Sequence, residues 1–323
     1  MNENINILFT SVGRRTKLLQ YFKKELREIG SLVAIDCSEL APALYFADNH
    51  YIVPGINEPN YIDTIMHICK KEKISAIISL IDPELSLLAK HSKKFEEIGV
   101  TTIVSDYYPC ELCLDKFAMT MFCQQNSFKV PKTYKSFSVF NDALKNSELD
   151  LPVFMKPQKG SASIDIYKAN NIKEVKNIYE NTSNMIIQEY LDGKELGVDV
   201  YVDIISKKII SIFIKEKLKM RAGETDKAKS IIAEKLFRII ENLVNKIGLI
   251  GPIDIDIFNV NGEFYISEIN PRFGGGYPLA YECGENYPKL IINNLRGIKN
   301  APKIGDYDEN IFMMKHDILT IKK

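Results

Sequence analysis

The first hundred residues alternate short apolar runs with amphipathic stretches. Residues 6–10 (NILFT), 32–35 and 74–81 (ISAIISLI) are continuous apolar runs of strand length. Between them, 14–29 places Leu18, Leu19, Phe22, Leu26 and Ile29 on one helical face, and 61–73 and 84–98 also read as helices. Short strands are expected at 52–53 and 100–104. Strands alternating with helices predict a parallel sheet covered on both faces. Such sheets take ligands beyond the strand C-termini, where Ser11, Gly13, Arg14, Asp36, Asp82 and Glu84 fall. The first turn, Ser11-Val-Gly-Arg-Arg15, has one glycine where a dinucleotide fingerprint needs GxGxxG, so a backbone cradle for pyrophosphate is not expected. Arg14 at a helix start either receives an anionic group or is simply solvated.

From 110 onward the pattern changes. A helix at 114–127 leads through a turn to a short helix at 140–146. A strand at 152–155 delivers Lys156, and the small polar run Gln158-Lys-Gly-Ser-Ala-Ser163 follows. A strand at 164–168, a helix at 172–179 and a strand at 185–189 complete a small α+β lobe. Two long strands, 196–205 and 208–217, then precede a loop at 220–225 and a helix at 228–247 closed by Gly248 as its C-cap. A last strand is expected within 311–320.

The stretch from Ile253 to Pro278 carries a hairpin. Asp254 and Asp256 alternate with Ile253, Ile255 and Ile257, and Glu268 and Asn270 alternate on the return, ahead of Arg272 and three glycines. Taken alone this is equally an ordinary half-exposed hairpin. Asn261-Gly262 suggests a two-residue turn, which pairs Ile255 with Glu268 and separates Asp256 from Glu268 across the sheet. A three-residue loop at 260–262, with Gly262 at positive φ, puts Asp254, Asp256, Glu268 and Asn270 on one face. Ile255, Ile257, Ile269 and Ser267 then face the other way. That loop is the expectation, because oxygen-only clusters suit hard cations such as Mg²⁺.

Bulk properties narrow the classes. Lys+Arg and Asp+Glu each number 42, so the net charge of zero argues against a dominant nucleic-acid or membrane role. No apolar run approaches membrane-spanning length, and the N-terminal apolar segment is too short for a signal peptide, so a cytoplasmic location is expected. Six cysteines in 323 residues make no disulfide framework, and Cys110-x-x-Cys113 lacks a second pair, so no zinc site is expected. The four histidines are scattered, and no Ser-His-Asp or Cys-His arrangement is visible.

Five features stand in order: Lys116; Lys156 with Lys159-Gly160-Ser161-Ala-Ser163; Gln188-Glu189-Tyr190-Leu191 with Glu195; Asp256; and Glu268-Ile-Asn270-Pro-Arg272. In that order and spacing the chain resembles the ATP-grasp superfamily, and is most similar to single-copy relatives of the carbamoyl-phosphate synthase large chain. The resemblance implies an α/β fold: an N-terminal parallel-sheet, pre-ATP-grasp, Rossmann-like domain over 1–109, followed by an ATP-grasp fold of two α+β lobes. These are a small lobe with a phosphate-loop lid over 110–189 and a C-terminal lobe with the metal site over 190–323. It implies ATP with Mg²⁺, Mn²⁺ being an alternative. Lys116 and Lys156 are expected on the phosphates, with Gly160, Ser161 and Ser163 in the closing loop. Gln188 is expected at the adenine amino group, the backbone of Tyr190 and Leu191 along the ring edge, Glu189 among the nucleotide-binding residues, and Glu195 on the ribose. Asp256, Glu268 and Asn270 are the expected metal ligands. Many family members carry Glu or Gln where Asp256 stands, which leaves open whether Asp254 or a water completes the shell. Arg272 is expected to clamp the transferring phosphoryl group, and Arg221, in KMRAGE, to grip a substrate carboxylate.

The implied reaction activates a carboxylate as an acyl phosphate and passes it to an amine or a thiol. A carbamoyl-phosphate-synthase-like or other small-acid phosphorylating enzyme, and a non-catalytic nucleotide-binding module, are the alternatives. The expected partners are a small carboxylate and a small amine, with no nucleic acid and no membrane; a homodimer through the N-terminal sheet domain is one assembly the chain allows.

Overall fold

The computed structural model describes residues 4–160 and 165–322. The lid residues Ser161 and Ser163 therefore lie outside the described residues. The N-terminal unit runs β1 (Asn6–Thr10), α1 (Thr16–Leu26), β2 (Leu32–Asp36), β3 (Asn49–Ile52), α2 (Tyr61–Lys71), β4 (Ile74–Ser79), α3 (Asp82–Glu96) and β5 (Thr101–Thr102). Its strands form a parallel sheet in the order β3-β2-β1-β4-β5. The nearly continuous buried runs of β1, β2 and β4 are what a sheet sandwiched by helices requires.

The predicted helix at 114–127 is two helices, α4 (Tyr107–Leu114) and α5 (Lys116–Gln125). Asp115 breaks them by turning extended, and its carboxylate caps α5 by accepting from the Ala118 N–H at 3.0 Å. Cys110 and Cys113 sit on the buried side of α4, where burial pushes the Cys110 thiol up to about 12. The small lobe follows: β6 (Thr133–Tyr134), α6 (Phe137–Lys145), β7 (Val153–Pro157), β8 (Tyr167–Ala169), α7 (Ile172–Asn181) and β9 (Met185–Glu189), with sheet order β6-β9-β7-β8.

The last unit holds β10 (Lys194–Val202), β11 (Ile209–Arg221), β12 (Glu224–Ile231), α8 (Glu234–Ile247), β13 (Gly251–Val260), β14 (Glu263–Asn270), α9 (Tyr277–Glu282), α10 (Tyr287–Leu295) and β15 (Phe312–Met314). Its antiparallel sheet has the order β14-β13-β10-β11-β12-β15. Here the expectation of a loop at 220–225 and a helix from 228 fails. Ala222 and Gly223, at φ 49 and 75, make a tight turn, and β12 returns along β11 before α8 begins at Glu234. Asp226, Ala228 and Ser230 are buried and alternate with Lys227 and Lys229; that weak period-2 pattern was masked by Ile231, Ile232 and Ala233, which extend the helical pattern backwards.

The hairpin between β13 and β14 also corrects the expectation. Val260 pairs with Glu263, so the turn is the two-residue Asn261-Gly262, with φ of 52 and 85. The parity change comes from inside the ladder. Ile257 pairs with Ile266 and Asp256 with Glu268, so Ser267 is an extra, bulged residue. The bulge returns Asp256 and Glu268 to one face, opposite each other, while Ile255, Ile257 and Ile269 are buried on the other. Ser267 itself does not turn into the core but borders the cleft.

On its apolar side this sheet packs Val198, Ile212, Ile255 and Ile269 against Leu236, Ile240, Leu243 and Ile247 of α8. A second core runs across units: Leu18, Leu19 and Phe22 of α1 meet Phe273, Tyr277 and Tyr287. Phe22 and Phe273 sit edge to face at 5.8 Å, and Tyr21 stacks on Tyr281 at 3.6 Å. The start of α1 is thereby fixed against the glycine run 274–276.

Candidate active site

The polar face of the large sheet builds the floor. Gly197 pairs with both Lys215 and Asp256, and Asp199 with Asp254, so side chains two residues apart on four strands share this face. It carries Glu195, Asp199, Lys215, Lys217, Asp254, Asp256, Glu268 and Asn270. Gly197 leaves the lane in which the two lysines lie, since a Cβ there would stand 2.9 Å from Lys215 and 3.2 Å from Lys217. The three consecutive glycines play the same part: a Cβ at Gly274 would strike Asp254 at 2.3 Å, and one at Gly276 would strike Lys215 at 2.4 Å. The run is glycine because charged side chains of the floor press against it.

A cavity of about 580 Å³ covers this floor, within the range of small-molecule sites. Pro131, Phe154, Ile166, Leu191 and Phe258 make an apolar slot at one end, with Gln188 and Glu189 beside it. Lys156 projects into the middle; it is buried, and among the described residues its ammonium makes no hydrogen bond. Burial pulls its pKa below the ordinary lysine value, against the opposing pull of Glu268. Asp82, Arg272, Arg14 and Arg15 line the far end.

Arg272 donates to Asp82 at 3.0 Å and to Asp254 at 3.2 Å, joining the end of the parallel sheet to the large sheet. Burial disfavours its charge, but Asp82 and Asp254 outweigh that and hold its pKa above the ordinary arginine value. Its Nε, and Oδ1 of Asp82, are buried without a partner among the described residues. Lys217 donates to Asp256 at 2.6 Å and to Glu195 at 2.7 Å. Burial opposes the Lys217 charge, and Asp256 and Glu195 together raise its pKa regardless. Burial pushes the Asp256 carboxyl up to about 6, against Lys217 and with the help of Asp254.

The residues expected from the sequence are brought together unevenly. Lys156, Gln188, Glu189, Leu191, Glu195, Asp256, Glu268, Asn270 and Arg272 all line the cavity. Gln188 spends its amide on the Thr133 hydroxyl at 2.9 Å. Lys116 does not line it: its ammonium donates to the Gly160 carbonyl at 2.7 Å and stands 3.8 Å from Glu268. Tyr190 turns its ring onto Phe154 at 5.4 Å, under Lys168, so its side chain is not part of the wall, and only its backbone is left for the ring edge. Arg221 is misplaced for a substrate grip: the tight turn points it away, and it pairs with Asp226 and Asp317 at 3.0 Å each. Sequence reading missed Lys217, Phe154, Phe258 and Arg15. The alternation of Lys215 and Lys217 along β11 was the available signal for the first.

No group of three or more His, Cys, Asp or Glu side chains converges as a metal cage among the described residues. Asp256 faces Glu268 across the hairpin with Asn270 two residues on, and one oxygen of Asp256 is held by Lys217. Two carboxylates and an amide oxygen fit Mg²⁺, which commonly takes one or two carboxylates and fills its shell with water and phosphate oxygens.

A parallel-sheet unit, a small lobe and a large antiparallel sheet closing on a cavity of this make-up define a nucleotide-dependent enzyme class. The chain belongs to the ATP-grasp family: the ATP-grasp domain model matches residues 113–276, and a PylC-like N-terminal domain model matches residues 7–103. It is 25% identical over 307 residues to the carbamoyl-phosphate synthase of Methanobrevibacter smithii, covering 89% of this chain and 80% of that one. Its fold is like that of N5-carboxyaminoimidazole synthetase from Staphylococcus aureus complexed with ADP, at TM-score 0.73, 17% identity, and coverage of 94% and 80%. It is also like the biotin carboxylase domain dimer of Hydrogenobacter thermophilus 2-oxoglutarate carboxylase with MgADP and bicarbonate, at TM-score 0.74, 17% identity, and coverage of 95% and 73%. The expected fold class, and an ATP-dependent ligase forming a carbon–nitrogen bond, are borne out at that level. No helix among the described residues is long and apolar enough to cross a membrane.

Proposed function

We propose that the protein is an ATP-dependent carboxylate–amine ligase, with a thiol as the alternative acceptor, working through an acyl phosphate. One observation carries the reading: a single cavity joins an apolar slot beside Gln188, the buried ammonium of Lys156, which makes no hydrogen bond among the described residues, the facing carboxylates Asp256 and Glu268, and Arg272. An adenine ring suits the slot, and Lys156 meets the phosphates as a cation. Glu268, Asn270 and the free oxygen of Asp256 would hold Mg²⁺, which supplies neutralisation of the β- and γ-phosphate charge.

An oxygen of the substrate carboxylate attacks the γ-phosphorus, the bond to the β,γ-bridging oxygen breaks, and ADP leaves. Arg272, preset by Asp82 and Asp254, meets the charge that develops on the transferring group and costs little reorganisation. The amine then adds to the acyl carbon, phosphate departs with the bonding electrons, and loss of a proton from nitrogen leaves the amide. Enclosure protects the acyl phosphate from water. The likeness to a carbamoyl-phosphate synthase favours one second reading, phosphorylation of bicarbonate or another small acid; identifying the product separates the two. A homodimer remains the assembly to test by mass in solution.

A phosphate-release screen with ATP, Mg²⁺ and paired acids and amines tests the proposal. Phosphate release that requires an acid, with amide recovered on adding the amine, is expected. ATP binding without turnover by any pair would leave a non-catalytic nucleotide-binding module instead.

A further inference from the structure

Arg15 is the cation of the cleft that the proposed chemistry leaves unused. Its side chain is 20% exposed and borders the cavity, and among the described residues its guanidinium makes no hydrogen bond. The nearest carboxylate, Glu224, stands 3.9 Å away and is already bonded to Lys315 at 3.1 Å. Arg272, by contrast, is fastened to Asp82 and Asp254. The position of Arg15 is built rather than incidental. The α1 core against Phe273 and Tyr277 fixes its backbone, and a Cβ at Gly275 would lie 2.9 Å from one of its terminal nitrogens. Holding a desolvated guanidinium with only a shared carboxylate at 3.9 Å and no hydrogen bond among the described residues is costly, and a planar anion arriving from the cavity relieves that cost through paired N–H bonds.

Surroundings and spacing select the anion. Glu224, Asp254 and Asp82 all act on Arg15, so its end of the cleft holds no excess positive charge for a doubly charged phosphate, and a planar carboxylate bound through the guanidinium fork fits it better. Arg15 lies by the glycine run that packs on Asp254, one two-residue step along β13 from Asp256. That step is about 7 Å. A carboxylate docked there stands apart from the one phosphorylated beside Asp256 and Glu268.

We propose that Arg15, with Arg14 at its outer side, docks a substrate carboxylate that the reaction does not consume, so that the enzyme takes an α-amino acid or a dicarboxylic acid. This rests on the ligase reading above and names its substrate class. The test is the thermal midpoint of the MgADP-loaded protein with glycine, glutamate, succinate and glutarate, each against its uncharged amide. At least one acid is expected to raise the midpoint where its amide does not, and the responding probe tells amino acid from diacid. Arg15→Gln should weaken that acid at least tenfold while keeping the shift caused by MgADP alone. Arg15→Lys, which keeps the charge but loses the fork, should fall between. If no acid shifts the wild type, or Arg15→Gln binds the acid as tightly, the proposal is overturned. If MgADP itself causes no shift in the wild type, the ligase reading fails and takes this one with it.

Discussion

Lys215 and Asp199 form an ion pair sealed inside the protein, with side chains 0% and 2% exposed. A paired charge that loses its partner there keeps its full desolvation cost. Lys215→Met should therefore destabilise the protein by about 3–5 kcal/mol, and the double variant with Asp199→Asn by clearly less; chemical denaturation of the three proteins checks it. Glu285 offers a pH-dependent counterpart. It is buried beside the Ser211 hydroxyl, and burial raises its pKa from 4.5 to about 6. A raised folded-state pKa gives stability that is fully present below pH 4.5 and lost as pH rises through about 6. Relative to wild type, Glu285→Gln should thus gain up to about 2 kcal/mol between pH 4.5 and pH 7. A stability difference that stays flat over that window would contradict the assignment. At this scale the sequence marks residue types well and partners poorly. Lys156 and Arg272 were legible because each closes a strand beside a distinctive run. Arg221 was misread because a tight turn decides its direction, and Arg15 was passed over for Arg14, which also lines the cleft, because only the close approach to Gly275 shows which arginine is the more enclosed.

The β13–β14 hairpin shows what an element can and cannot reveal. The need for one odd residue was legible from the period-2 pattern, since Asp256 and Glu268 otherwise separate. Where that residue sits was not. Asn261-Gly262 is the usual two-residue turn and was real, and Ser267 carries no local mark of a bulge. Deleting Ser267 removes the bulged residue, so Ile266 and Glu268 become neighbours and the ladder runs unbroken with Asp256 still opposite Glu268. The expected result is that Mg²⁺-dependent ATP binding survives the deletion, as it does Ser267→Ala. Loss of binding in a folded deletion variant would contradict the bulge as the source of the parity change. Strand β12 is the converse case: its small residues give little amphipathic signal, and pairing with β11 and β15 outweighs the helical pattern that continues from α8.

Across the whole molecule, the cleft takes Asp82 and Arg15 from the parallel-sheet unit, Lys156 and Gln188 from the small lobe, and its carboxylates from the large sheet. The parallel sheet was readable because its strands are separate apolar runs. The floor was half readable, since each strand shows its own alternation but strand order is a matter of pairing. Lys156→Ala should weaken ATP about tenfold or more, the loss of one charge-assisted contact, and calorimetry would measure it. The most direct test follows oxygen. With ATP, Mg²⁺ and an acid that stimulates phosphate release, the acid carrying ¹⁸O in its carboxylate, attack on the γ-phosphorus predicts one ¹⁸O in each inorganic phosphate released during amide formation. Unlabelled phosphate, or AMP and pyrophosphate in place of ADP and phosphate, would contradict carboxylate activation through an acyl phosphate.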